Sequence, residues 1–186
     1  MDMLTIIAEA DILVPNDVPV ANKVVALNGF NQDFFNVVKI PIFQGFTTMK
    51  GVGSYILNNA IRFKNIEVVY CGIIKYKRLE DSTPHPMENV YYFNDATYEL
   101  GLRPAPYAND LAGLIRFSRI SSTTFTVGNL EKSPDAPEEY HWTFIPALAS
   151  FIANTQDDAV KASNYENQYK AAWNVAAQNY AKEVTQ

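Results

Sequence analysis

The sequence predicts an α+β chain: a helical bundle from N- and C-terminal helices with an antiparallel β-sheet region inserted between them. Three observations predict it. Apolar side chains recur every three to four residues up to about residue 40, as on one face of a helix. From there to about residue 133 that period gives way to short β-branched and aromatic runs punctuated by Gly, Pro, Asn and Asp. Past Ser133 the helical period returns. The expected organisation is a single domain, 1–186, with a helical part at 1–40 and 134–186 and a β-rich part at 41–133. A chain of 186 residues can bury one substantial core but not comfortably two independent ones.

Residues 3–13 carry Leu4, Ile7, Ala8 and Ile12 as a helical stripe, which Pro15-Asn16-Asp17 interrupts. A second helix starts near Val18, with Pro19 suited to a first turn. Val20, Val24, Leu27, Phe30, Phe34 and Val38 run down one face until Pro41 disfavours helix in its predecessor. The β-rich part offers strands at 42–48, 54–57, 65–78, 90–94, 97–100, 113–119 and 123–127. Asn94-Asp95-Ala96 forms a tight turn, and Asp81 to Pro86 a polar loop. The strand from Asn65 to Arg78 is the longest. It is apolar on both faces from Ile66 to Ile74, after which Lys75, Lys77 and Arg78 alternate with Tyr76 and Leu79.

Helix resumes after Pro137, where Glu138 and Glu139 suit the positive end of the helix dipole, and His141, Phe144, Ile145, Leu148 and Ile152 form the stripe. Pro146 is expected to kink this helix. Asn154-Thr155-Gln156-Asp157 closes it, and a last helix runs from about Asp157 to Lys182. Ala162, Tyr165, Tyr169, Ala172, Trp173, Ala176 and Tyr180 lie on one of its faces.

Composition is that of an ordinary globular protein, 48% hydrophobic and 19% charged. The net charge of −5 argues against tight binding to a phosphate backbone. The single cysteine, Cys71, lies in an apolar run, so no internal disulfide forms, and assembly in a reducing cytoplasm is the simplest assumption. Neither an export signal nor a membrane anchor is expected, because Glu9 and Asp11 interrupt the N-terminal apolar stretch and no stretch reaches the roughly 20 apolar residues that span a bilayer.

No catalytic, cofactor or metal site is expected. Gly51 and Gly53 fit a hairpin turn better than a phosphate loop, since no Lys follows in register. His85 and His141 lack companions at ligand spacing, and His141 beside Trp142 reads as a packing residue. Asp81, Ser82 and His85 form no nucleophile elbow. Glu138 with Glu139 and Asp157 with Asp158 are adjacent pairs, which diverge by about 100° on a helix and cannot converge on one substrate. The 13% aromatic content is the most distinctive compositional feature, with clusters at Tyr91-Tyr92-Phe93 and along the last helix. Core packing is the default for the sheet cluster. Tyr165, Tyr169, Trp173 and Tyr180 form a candidate partner interface: they face either another protein or the first two helices.

Val25 to Phe34, reading VALNGFNQDF, has a hydrophobic-Leu-Asn step preceding Asp-Phe and resembles the N-terminal helix of the head-tail adaptor (head completion or connector ring) proteins of tailed bacteriophages. Phe46 to Leu57 resembles their first hairpin, a threonine strand, a glycine turn and a Tyr-x-Leu strand leading to a long strand such as Ile66 to Tyr70. Tyr98 to Pro106 resembles their leucine-rich strand ending in Pro-x-Pro, followed by Leu114-Ile115-Arg116-Phe117. Pro134 to His141 is similar to the entry to their helical hairpin, and Asp158-Ala159 with Tyr165 to Tyr169 to their closing helix. The resemblance runs collinearly over nearly the whole chain.

It implies a non-enzymatic structural virion protein of the neck, assembled in the host cytoplasm: a homo-oligomeric ring, usually of twelve copies, that binds the portal protein and the next tail or neck ring. Such a ring extends the DNA channel used in ejection, with only transient contact to DNA and none to membrane. Two other readings are a β-rich virion module recognising a glycan or another tail protein, and a small hydrolase. Under the adaptor reading, truncation after about Asn164 should leave the β part folded and abolish portal association, and the chain alone should be monomeric or heterogeneous.

Overall fold

The computed structural model describes residues 1–79 and 88–183; the expected polar loop at Asp81 to Pro86, and with it Asp81, Ser82 and His85, lies outside the described residues. The chain divides into two compact units. One comprises Met1–Lys39 with Ile120–Gln186, and the other Ile40–Arg119.

Among the described residues the first unit holds four α-helices: α1 (Met3–Leu13), α2 (Val20–Val37), α3 (Phe144–Thr155) and α4 (Ala159–Glu183). Helix α1 starts where the Asp2 carboxylate accepts from Thr5 N at 2.8 Å. Its junction with α2 is fixed by Lys23, whose buried ammonium lies 2.7 Å from Asp11 Oδ1. Asn16 adds to this by donating to Asp11 Oδ1 and accepting from Val18 N. Helix α3 is central to the unit, with α1, α2 and α4 packed on it. It is buried almost all round, from Phe144 and Ala147 to Ile152 and Ala153. Ala162 and Ala176 are fully buried on α4, where small side chains permit close approach to α3.

Two expectations for these helices are corrected. Leu4, Ala8 and Ile12 do not face the core of the unit; Met3, Ile6, Ile7 and Ala10 do. Helix α1 is apolar on several sides, so its period alone could not choose the buried face. Pro146 is not an interior proline. Residues Glu138–Thr143 form a 3₁₀ segment and the α-helix begins only at Phe144, which places Pro146 in a first turn whose N–H would have no helical partner.

Among the described residues the second unit is one seven-stranded sheet: β1 (Pro41–Thr47), β2 (Ser54–Ile56), β3 (Ile66–Cys71), β4 (Ile74–Arg78), β5 (Val90–Asn94), β6 (Glu99–Arg103) and β7 (Ala112–Ser118), in the order β1-β7-β3-β4-β5-β6-β2. The expected fold class is overturned here. The fold is organised by a curled mixed sheet approaching a half-barrel, accompanied by four helices, and is not a helical bundle with an antiparallel insertion. The mixed character comes from β4 and β5, which pair in parallel with Lys77 opposite Val90 and Arg78 opposite Tyr91. Strands joined by a tight turn must run antiparallel, whereas β4 and β5 are separated by residues 79–89, close to the roughly dozen residues that a parallel return needs.

The expected long strand is two, folded back at Gly72 (φ 59) so that Cys71 pairs with Ile74. The expected hairpin around Gly51 and Gly53 is absent as a pairing: β1 pairs with β7 and β2 with β6, at opposite ends of the order. Curling brings those ends together, and the Phe46 and Tyr55 rings lie 4.9 Å apart. The concave side is the core, formed by Val69, Tyr76, Tyr91, Leu100, Ile115 and their neighbours. Two glycines let aromatic rings lie across strands. A Cβ at Gly113 would meet the Phe46 ring at 2.5 Å, and one at Gly101 the Tyr92 ring at 2.0 Å; each ring belongs to the residue directly opposite in register.

Candidate functional site

Helix α2 places Asn28 and Asn31 three residues apart, and both reach into the segment at 121–135. Asn28 Nδ2 donates to Phe125 O at 2.9 Å while its Oδ1 accepts from Phe125 N at 2.8 Å. The amide thereby occupies the backbone groups that a neighbouring strand would have used, and residues 123–127 form no strand and enter a turn at Val127, contrary to expectation. Asn31, fully buried, donates to Asp135 Oδ2 at 2.9 Å and accepts from Asp135 N at 3.0 Å. The same carboxylate accepts from Thr123 N, Thr123 Oγ1 and Ser122 N. Burial alone would raise the Asp135 pKa, but these bonds from Thr123, Asn31 and Ser122 outweigh it and hold the carboxyl below its ordinary range. The cluster is satisfied internally and acts as a clamp. The local sequence pattern around Asn28, Asn31 and Asp135 does not assign them this role. The available signal was the pair of asparagines flanking Leu27 and Phe34 on the apolar face of a helix.

The four aromatic residues expected at a partner interface separate into two groups. Trp173 and Tyr169 are 2% and 6% exposed. Trp173 stands edge-on to Phe34 at 5.5 Å and to Tyr169 at 4.7 Å, and its Nε1 donates to Thr143 Oγ1 at 2.9 Å. These two residues close the bundle against α2 and the 3₁₀ segment. Tyr165 and Tyr180 are half-buried and keep part of their surface outside. A groove of about 230 Å³ between α2 and α4 ends on Tyr169 and Trp173, with Asp33, Asn36 and Lys170 on its rim. Burial pushes the Tyr169 hydroxyl pKa up, and the hydrogen bond to Glu166 raises that of Lys170.

The residues considered for chemistry are dispersed. His141 is buried, with Nε2 2.8 Å from Ala136 O. Glu138 and Glu139 are exposed, and Asp158 serves α4 by accepting from Lys161 N. The Cys71 thiol is buried and its pKa is pushed up by that burial. Among the described residues no three His, Cys, Asp or Glu side chains are grouped to hold a metal, and no helix is long and apolar enough to cross a membrane.

What the two units do present is apolar surface. On α1, Leu4 is 61% and Ile12 71% exposed, with Ala8 exposed between them on the same face. On the sheet unit, Phe43 of edge strand β1 is 60% exposed, and Ile73 at the β3–β4 turn is 96% exposed. Strand β1 carries no charged residue to discourage pairing along its open edge.

No protein-family model matches the chain, and no curated protein sequence matches it significantly.

Proposed function

We propose that this chain is a structural subunit of a phage neck ring: a head-tail adaptor that joins the portal to the tail and extends the DNA channel. The observation that carries the reading is the outward apolar face of α1, Leu4-Ala8-Ile12, which no described residue of its own unit covers. Large exposed apolar surfaces on compact proteins mark association sites, and a ring subunit needs two different complementary surfaces for a rotational contact to close. The open edge of β1, with Phe43 beside it, is chemically distinct from the α1 face and serves as the second.

The helical unit is built to hold such a surface rigidly. The Asn28, Asn31 and Asp135 clamp and the Trp173 cluster tie its N- and C-terminal segments together. Native mass spectrometry of the chain with and without a portal protein tests the reading. Closed rings of defined copy number on the portal support it; a persistent monomer in its presence refutes it.

A further inference from the structure

Formal charge is divided unevenly between the two units. Residues 40–119 hold nine of the fifteen Lys and Arg and seven of the twenty Asp and Glu, a balance of +2. Residues 1–39 and 120–186 hold the remaining six and thirteen, a balance of −7, and the two together give the −5 of the whole chain.

The positive side is ordered by strand register. Tyr70 stands opposite Lys75, Lys77 opposite Val90, Val90 opposite Arg103, and Tyr92 opposite Gly101. Alternate residues Val69, Tyr76, Tyr91 and Leu102 are buried in the concave core, so Tyr70, Lys75, Lys77, Tyr92 and Arg103 share the convex face. All three cations there are exposed. The Arg103 guanidinium lies 5.6 Å from the Tyr92 ring centroid, which fixes part of its conformation beforehand. Lys75 makes no ion pair with a described residue, and the Lys77 pair with Glu88 at 3.3 Å is solvent-exposed on both sides and therefore weak.

We propose that this convex face, at Tyr70, Lys75, Lys77, Tyr92 and Arg103, docks on the acidic helical unit of a second copy of the chain. Charge complementarity selects that occupant: a body of −7 meets a face on which three exposed cations outnumber the carboxylates Glu88 and Glu99, the latter placed there by the same alternation as Arg103. A nucleic acid would meet the same face attached to a chain of net −5, which opposes the approach of a phosphate backbone. Interleaved Tyr and Arg are the residue types that anchor protein interfaces. The contact joins unlike surfaces, as a heterologous ring requires, and so rests on the ring reading above.

Zero-length carbodiimide crosslinking of an equal mixture of isotope-labelled and unlabelled full-length protein, with portal present, tests it. The expected result is mixed-isotope peptides joining Lys75 or Lys77 to Asp or Glu of residues 1–39 or 120–186. Association should weaken by about tenfold or more between low and high salt, and likewise in K75E/K77E/R103E and, less steeply, in K75Q/K77Q/R103Q. Urea midpoints report whether either variant still folds, and the crosslinks on the unaltered protein stand independently of both. Rings that assemble without these crosslinks, unaffected by salt or reversal, overturn this docking and leave the ring reading standing. Duplex DNA binding that the reversal abolishes while self-association persists overturns it in favour of nucleic acid. Failure of the chain to self-associate at any salt, with or without portal, overturns both.

Discussion

The indole nitrogen of Trp173 donates to the hydroxyl of Thr143 across 2.9 Å inside the helical unit, joining α4 to the segment that leads into α3. Thr143 is fully buried, and its own hydroxyl donates onward to Tyr140 O at 2.6 Å. Thr143→Val would leave the indole N–H without an acceptor, at a cost of about 1–3 kcal/mol. Trp173→Ala would open a cavity among Phe34, Phe144 and Tyr169 at about 3–5 kcal/mol. Urea denaturation followed by tryptophan fluorescence for the first, and by circular dichroism for both, measures these losses.

The same placement changes what truncation does. Removing the chain after about Asn164 deletes Tyr169, Trp173 and Ala176 from the core of the helical unit. Such a truncation is expected to unfold that unit, seen as a loss of helical circular dichroism beyond the deleted residues. Loss of portal binding in it would therefore not locate an interface.

Surface substitution separates the two effects. Leu4→Glu with Ile12→Glu alters side chains that are 61% and 71% exposed, so the change in stability should stay within about 0.5 kcal/mol per site. On the proposed neck-ring reading, ring formation with portal should fall by about tenfold or more, because charge is placed at the centre of the proposed apolar contact. Analytical ultracentrifugation beside a urea titration reads both.

Asp135 makes a pH prediction. Its folded-state pKa lies below the unfolded value of about 3.9. The stability it contributes is thus fully present above that value and is lost as pH falls through the lower folded pKa. Asp135→Asn should be less stable than the parent at neutral pH, and its stability should fall less steeply below about pH 4. Urea midpoints at neutral pH and between about pH 2 and 5 check the sign; an unchanged slope would remove Asp135 from the acid transition.

Gly113→Ala is expected to destabilise the sheet unit by about 1–3 kcal/mol, since the added methyl would strike the Phe46 ring at 2.5 Å. Gly45→Ala, whose Cβ would meet nothing nearer than Gly113 O at 3.7 Å, is the control and should change little.

Much of the secondary structure was legible in the sequence. The bounds of α1, the Pro41 stop after α2 and strands near 42–48, 54–57, 90–94 and 113–119 follow from local period and turn chemistry, which the residues themselves carry. Strand partners were not legible. Nothing in Phe46 or Tyr55 announces that β1 and β2, neighbours in sequence, sit at opposite ends of a sheet whose curl returns them to 4.9 Å. Nor does any local feature specify the parallel pairing of β4 with β5, a long-range choice. In the candidate site, the apolar stripe on α4 marked Tyr169 and Trp173, which are buried, but could not say whether they meet another chain or their own. The stripe on α1 misled for the opposite reason: a helix apolar on several sides buries the side its neighbours select. The charge division between the units was hidden in a single net value.

Cryo-electron microscopy of the chain mixed with a portal protein tests the proposed neck-ring role. A closed ring of this subunit coaxial with the portal, with an axial channel wide enough for duplex DNA, is the expected result. Portal particles bearing no added density, beside monomers of the chain, would contradict it.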